Sequence, residues 1–88
     1  MPFVYMLECR DGSFYTGWTT DLEKRLLTHQ AGKGGHYTRS HLPVRLVYSE
    51  EHPTKSDCLK REAEIKKLPR LKKQALCMKE NQQEQANL

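Results

Sequence analysis

The sequence predicts an α+β fold: a small three-stranded, mainly antiparallel sheet flanked by two to three helices, in the order β-β-α-β-α-(α). Three observations carry this prediction. A length of 88 residues suits one domain with one small core. Two aromatic and β-branched runs flank an Asp-Gly turn, the strongest short hairpin signal. Two later segments carry helix-start residues followed by apolar residues at helical spacing.

The elements follow in chain order. Residues 3 to 8, Phe3-Val4-Tyr5-Met6-Leu7-Glu8, favour a strand. Arg10-Asp11-Gly12 reads as the turn, and Ser13-Phe14-Tyr15-Thr16-Gly17 as the returning antiparallel strand. Thr20 and Glu23 have capping-box spacing and open a helix through Leu22, Arg25, Leu26 and His29, which Gly32 ends. Residues 32 to 43 read as a long, glycine-rich, basic loop. Val44-Arg45-Leu46-Val47-Tyr48-Ser49 reads as the third strand, protected on at least one face. A second helix starts in Pro53-Thr54-Lys55-Ser56-Asp57 and runs to about Leu68, where Pro69 stops it or begins a new one. Leu71, Ala75 and Leu76 give a short third helix weaker support. The domain is expected to span residues 1–78. Residues 79–88 are polar and aperiodic, and a disordered tail is expected there.

Composition narrows the function classes. Fifteen Lys and Arg against eleven Asp and Glu give a net charge of +4, with a mean hydropathy of −0.85. A phosphate-rich partner is compatible with that charge, and so is an ordinary solvated surface. Cys9, Cys58 and Cys77 are odd in number and form no C-x-x-C, which points to a reducing, cytoplasmic setting. The amino terminus has no basic and apolar leader pattern, and no run reaches the roughly 20 apolar residues of a membrane span. The Gly32-Lys33-Gly34-Gly35 cluster lacks Walker spacing and follows a helix. The cysteines and histidines show no zinc spacing.

Several side chains sit where packing alone would not put them. Arg25 and His29 are one turn apart on the face that carries Leu22 and Leu26. A guanidinium there needs an anionic partner, or its stem lies on the core edge while its head reaches water. Glu62 shares a helix face with Cys58 and Ile65, so it should pair with a cation, Arg25 or another, or bind a metal. Tyr5 and Tyr15 lie on successive strands and either share one side of the hairpin or fill the core. Seven basic residues between Lys60 and Lys73 form a solvated face or a phosphate track.

These residues in this order resemble the GIY-YIG nuclease superfamily, and most of all its small stand-alone bacterial proteins. Phe3-Val4-Tyr5 and Tyr15-Thr16-Gly17 look like the paired motifs. Arg25 follows the second-motif glycine by eight residues, His29 lies one turn later, and Glu62 matches the downstream helix glutamate. The resemblance covers residues 3 to about 76. It implies hydrolysis of phosphodiester bonds in DNA or RNA with one divalent ion, Mg²⁺ or Mn²⁺. On that resemblance Tyr5 activates or positions water, and Tyr15 hydrogen-bonds phosphate, water or Tyr5. Gly17 keeps the backbone clear for close approach, and Arg25 binds the phosphate. His29 accepts from or orients Tyr5, and Glu62 holds the metal. Arg25 and the ion are expected to lower the tyrosine's ordinary pKa of about 10. Lys33, Arg39, Lys66 and Lys67 are expected on the nucleic-acid backbone.

Departures bear on target choice. The first motif reads Phe-Val-Tyr, the family's asparagine beyond the glutamate has no counterpart, and Gln74 is the nearest amide. Characterised members usually carry an extra DNA-binding domain, so a protein partner that supplies specificity is one expectation. The alternative function is a non-catalytic nucleic-acid-binding or repair-accessory module that keeps the nuclease fold. Oligomeric state is open.

Overall fold

A computed structural model describes residues 1–77. The elements are β1 (Phe3–Glu8), β2 (Phe14–Thr19), α1 (Leu22–Gln30), α2 (His36–Ser40), β3 (Arg45–Glu51) and α3 (Lys55–Lys67). A last helix, α4, occupies residues 70–77. The expected α+β class and the three-stranded antiparallel sheet are therefore present. The expected tail, 79–88, lies outside the described residues.

The sheet order is β2-β1-β3, which puts β1 in the middle. Both pairings are antiparallel. Tyr5 stands opposite Gly17 and Leu7 opposite Tyr15, while Met6 stands opposite Thr16. Because side chains alternate across a sheet, Tyr5, Leu7, Tyr15 and Gly17 share one face and Val4, Met6, Thr16 and Trp18 the other. On the β3 side the register slips between Met6 and Leu7, a bulge that skips Val47.

Each face builds its own cluster. Val4 and Met6 pack with Cys58 and Ile65 of α3, and Phe14, Trp18 and Tyr48 close around them. Fully burying Val4, Met6 or Ile65 contributes about 1.5–3 kcal/mol each. Tyr5, Leu7, Cys9 and Val44 form the second cluster, covered by Leu22 and Leu26 of α1. The sheet is thus a middle layer between α3 and the α1–α2 pair, an economical arrangement for a short chain.

Local chemistry differs from expectation at several ends. Asp21, not Thr20, caps α1: its Oδ1 accepts from the Lys24 amide at 3.1 Å. Asp21 sits one residue nearer the first helical position, where its carboxylate also meets the positive helix end. Gly32 does stop α1. With φ at +79° it lets the Lys33 amide reach the Thr28 carbonyl and its own amide the His29 carbonyl, both at 3.0 Å. The expected uninterrupted loop over 32–43 contains α2, a five-residue helix whose short length hid its period. Thr54 caps α3 by accepting from the Asp57 amide at 3.2 Å.

A polar clasp ties β3 to α3. Glu50 accepts from Arg61 Nε at 2.7 Å, pairs with His52 Nε2 at 2.8 Å, and takes the Tyr48 hydroxyl as well. Burial pushes Tyr48 up to about 12, so it stays protonated and donates. Glu50 is held below the ordinary carboxylate value because these three donors outweigh the burial that opposes them.

Candidate active site

The tyrosines of the two strands converge with the arginine and histidine of α1. Tyr5 is 2% exposed and His29 is fully buried. The Tyr5 hydroxyl lies 2.8 Å from His29 Nε2. Arg25 Nε donates to the same hydroxyl at 3.4 Å. Tyr15 is partly buried beside them, with its ring centroid 6.4 Å from Tyr5 and 5.2 Å from His29. Arg25 and His29, four residues apart on α1, reach the sheet together because successive turns stack their side chains on one face.

Gly17 owes its place to these rings. A Cβ there would stand 2.8 Å from Tyr5 Oη, 2.9 Å from Tyr5 Cζ and 3.3 Å from Tyr15 Cε1. The missing side chain makes room for the site's own tyrosines.

Two residues of the glycine-rich segment complete the first contacts. Thr38 of α2, fully buried, places its Oγ1 2.9 Å from His29 Nδ1. Gly34 lies against the His29 ring so closely that a Cβ would fall 2.1 Å from Nδ1, and its carbonyl accepts from Arg25 Nη2 at 3.4 Å. Neither was singled out from sequence. A lone threonine inside a basic glycine-rich run carries no periodic signal, and only the turn of α2 brings it to the histidine.

In the protein alone Tyr5 is held above its ordinary value. Burial is the largest cause. The Arg25 hydrogen bond and charge pull downward, while the neighbouring Tyr15 and Glu62 push up. Arg25 alone therefore does not ionise the tyrosine. The guanidinium itself is held firmly charged, with the Tyr5 hydrogen bond as the leading cause. His29 is held below its ordinary value by burial first and by the Arg25 charge second, so near neutrality it is an uncharged imidazole.

The remaining expected residues lie on α3, on α2 and in the turn after α1. Glu62 stands on α3 with its side chain 18% exposed, and its ion pair is to Lys66 Nζ at 3.5 Å, not to Arg25. Lys66 and Lys67 are exposed in the last turn of α3. Lys33 is exposed just past α1, and Arg39 on α2 meets His36 Nδ1 at 3.2 Å. The structure thus brings together Tyr5, Tyr15, Gly17, Arg25 and His29, with Glu62 near enough for its charge to act on Tyr5. Among the described residues, no three His, Cys, Asp or Glu side chains gather as a metal cluster. No described helix is long and apolar enough to cross a membrane.

Comparison with known proteins matches the same span. The model of the GIY-YIG catalytic domain covers residues 1–75. A UPF0213 protein of Streptococcus sanguinis is 56% identical over 73 residues, 83% of this chain and 84% of that one. A UPF0213 protein of Halobacterium salinarum is 47% identical over 76 residues, 86% of this chain and 99% of its own length. Among solved structures, the UPF0213 protein BH0048 of Bacillus halodurans is 48% identical, covers 86% of this chain and 82% of its own, and superposes with a TM-score of 0.55. A paired-tyrosine hairpin, a helix arginine and a matching domain model over most of the length lead to one assignment: the chain belongs to the GIY-YIG nuclease superfamily, beside the small UPF0213 proteins.

Proposed function

We propose that this chain is a divalent-metal-dependent nuclease that hydrolyses phosphodiester bonds in DNA or RNA. The observation that carries the reading is the contact of one buried hydroxyl, Tyr5 Oη, with both a neutral imidazole and a guanidinium. Water placed at Tyr5 gives a proton to Oη as the hydroxyl's own proton passes to His29 Nε2. Its oxygen then bonds to phosphorus while the bond to the leaving oxygen breaks. This exchange needs no free tyrosinate, which suits a tyrosine whose ionisation burial opposes. Arg25, fixed by Tyr5 and the Gly34 carbonyl, offers two N–H groups to the phosphate and balances charge in the transition state. Tyr15 holds a phosphate oxygen or the water.

Glu62 is the residue that would hold the ion. A lone, partly buried carboxylate in a weak pair with an exposed lysine suits Mg²⁺ or Mn²⁺, which keep most of their waters and share the rest of their shell with substrate phosphate. When bound, the ion supplies Lewis-acid polarisation and neutralises charge at the leaving oxygen. Lys33, Arg39, Lys66 and Lys67 contact the backbone of the nucleic acid, and a protein partner adds the specificity that such contacts lack. Residues 1–78 form the catalytic domain, working in the cytoplasm.

The test is cleavage of labelled duplex, single-stranded, branched and RNA substrates, with and without Mg²⁺ or Mn²⁺. Tyr5→Phe and Glu62→Gln run beside the wild type. Both variants should lose at least about 100-fold in rate. Cleavage that persists in both would refute the assignment, and binding without cleavage would make the chain an accessory module.

A further inference from the structure

Hydrogen-bond bookkeeping around Tyr5 favours one placement of the His29 proton. Arginine only donates, so the 3.4 Å contact from Arg25 Nε uses a lone pair of Tyr5 Oη. The hydroxyl still has its own proton to give, and His29 Nε2 lies 2.8 Å away. Nε2 is then the acceptor. A neutral imidazole with a bare Nε2 carries its proton on Nδ1, and the group 2.9 Å from Nδ1 is Thr38 Oγ1.

We propose that Thr38 is a positioning residue whose hydroxyl oxygen accepts the His29 Nδ1 proton and so holds the ring with Nε2 open toward Tyr5. The surroundings are built for this contact. Thr38 and His29 are both fully buried, so water does not substitute for either partner. Gly34 lies against the ring near Nδ1, where any side chain would collide with it. Gly35, at φ +139°, turns the chain so that α2 begins one residue later and returns Thr38 to the ring. The opposite tautomer would point an N–H at a hydroxyl that already accepts from Arg25, and would leave the Tyr5 proton without its nearest acceptor. The catalytic consequence rests on the nuclease reading above. The tautomer does not.

The decisive experiment reads protons directly. Long-range ¹H–¹⁵N correlation spectra of the full chain, without substrate or metal, report which imidazole nitrogen is protonated. His29 is assigned from the peaks that vanish in His29→Gln. The wild type should show Nδ1–H and a bare Nε2, and Thr38→Ser should keep that pattern. Thr38→Val, which preserves shape but cannot accept, should shift His29 toward Nε2–H. A wild-type ring protonated on Nε2, or an unchanged tautomer in a folded Thr38→Val, overturns the proposal. The wild-type spectrum decides even if that variant fails to fold. Where cleavage is observed, Thr38→Val should lower kcat roughly 10-fold with KM unchanged, and Thr38→Ser should restore most of it. Equal kcat in the valine variant also overturns the proposal. Absence of cleavage in the wild type would remove the nuclease reading and leave the tautomer result standing.

Discussion

Replacing Gly34 with alanine drives a methyl group into the His29 ring. The added Cβ would stand 2.1 Å from Nδ1 and 2.6 Å from both Cε1 and Cγ, where ordinary contact begins at 3.4 Å. Relief at Nδ1 needs 3.4 − 2.1 = 1.3 Å of separation. The ring is bonded at both ends, at 2.8 Å to Tyr5 and 2.9 Å to Thr38, so a shift of that size breaks at least one bond. Each lost buried hydrogen bond costs about 1 kcal/mol and overpacking adds about 1–3 kcal/mol. The sum, about 2–5 kcal/mol, is a large share of the ordinary 5–15 kcal/mol of a small domain. The expected result is a melting temperature lowered by roughly 10 °C or more. Urea denaturation followed by circular dichroism supplies the free energy, and the imidazole spectrum reports the Tyr5 contact. A Gly34→Ala protein within about 0.5 kcal/mol of wild type, with His29 still bonded to Tyr5, would refute the close approach.

Other expectations follow from the same geometry. Gly17→Ala should displace the Tyr5 hydroxyl by several tenths of an ångström and lower cleavage more than stability; unchanged kcat would show that the tyrosine's position is not critical. Glu62→Gln should abolish divalent-ion binding by calorimetric titration while leaving the melting temperature nearly unchanged, since its lost pair to exposed Lys66 is worth at most about 1 kcal/mol. Because the folded-state pKa of His29 lies below its unfolded value of 6.5, the unfolded chain binds the extra proton as pH falls through that value. Stability should therefore drop below pH 6.5, and His29→Gln should flatten that part of the curve in denaturant titrations. The depressed carboxylate of Glu50 acts lower, with stability present above 4.5 and lost as pH falls through its folded value. Glu50→Ala should cost about 1.5–3 kcal/mol by urea unfolding, since Arg61 and the Tyr48 hydroxyl lose a charged acceptor.

Much of the site was legible because it is written in short-range order. Tyr5 and Tyr15 flank one tight turn, so hairpin pairing alone puts them on a common face. Arg25 and His29 are a single helical turn apart, and the period of the helix decides the rest. Thr38 was hidden because α2 is too short for a period and its partner is reached through tertiary contact. The partner of Glu62 could have been read from the sequence: Lys66 is its i+4 neighbour on the same helix. The direction of the Tyr5 shift was not readable there, since burial and Arg25 oppose each other and only packing settles which prevails. The helix cap at Asp21 turned on one residue of backbone geometry beside an equally suitable threonine.

The bulge opposite Met6 and Leu7 divides the sheet into a tolerant side and an intolerant one. A length change in β3 meets a pairing that already absorbs an unmatched residue, and β3 carries neither Tyr5 nor Tyr15. In β1 or β2 the same change would carry Tyr5 or Tyr15 to the α3 face and bring a core residue into their place. Single-residue insertions in the hairpin strands should thus destroy packing and chemistry in one stroke, so no folded but merely relocated site exists for selection to explore. Variation in length is left to the third strand and the loops beyond it, and new substrate preferences would have to be built there.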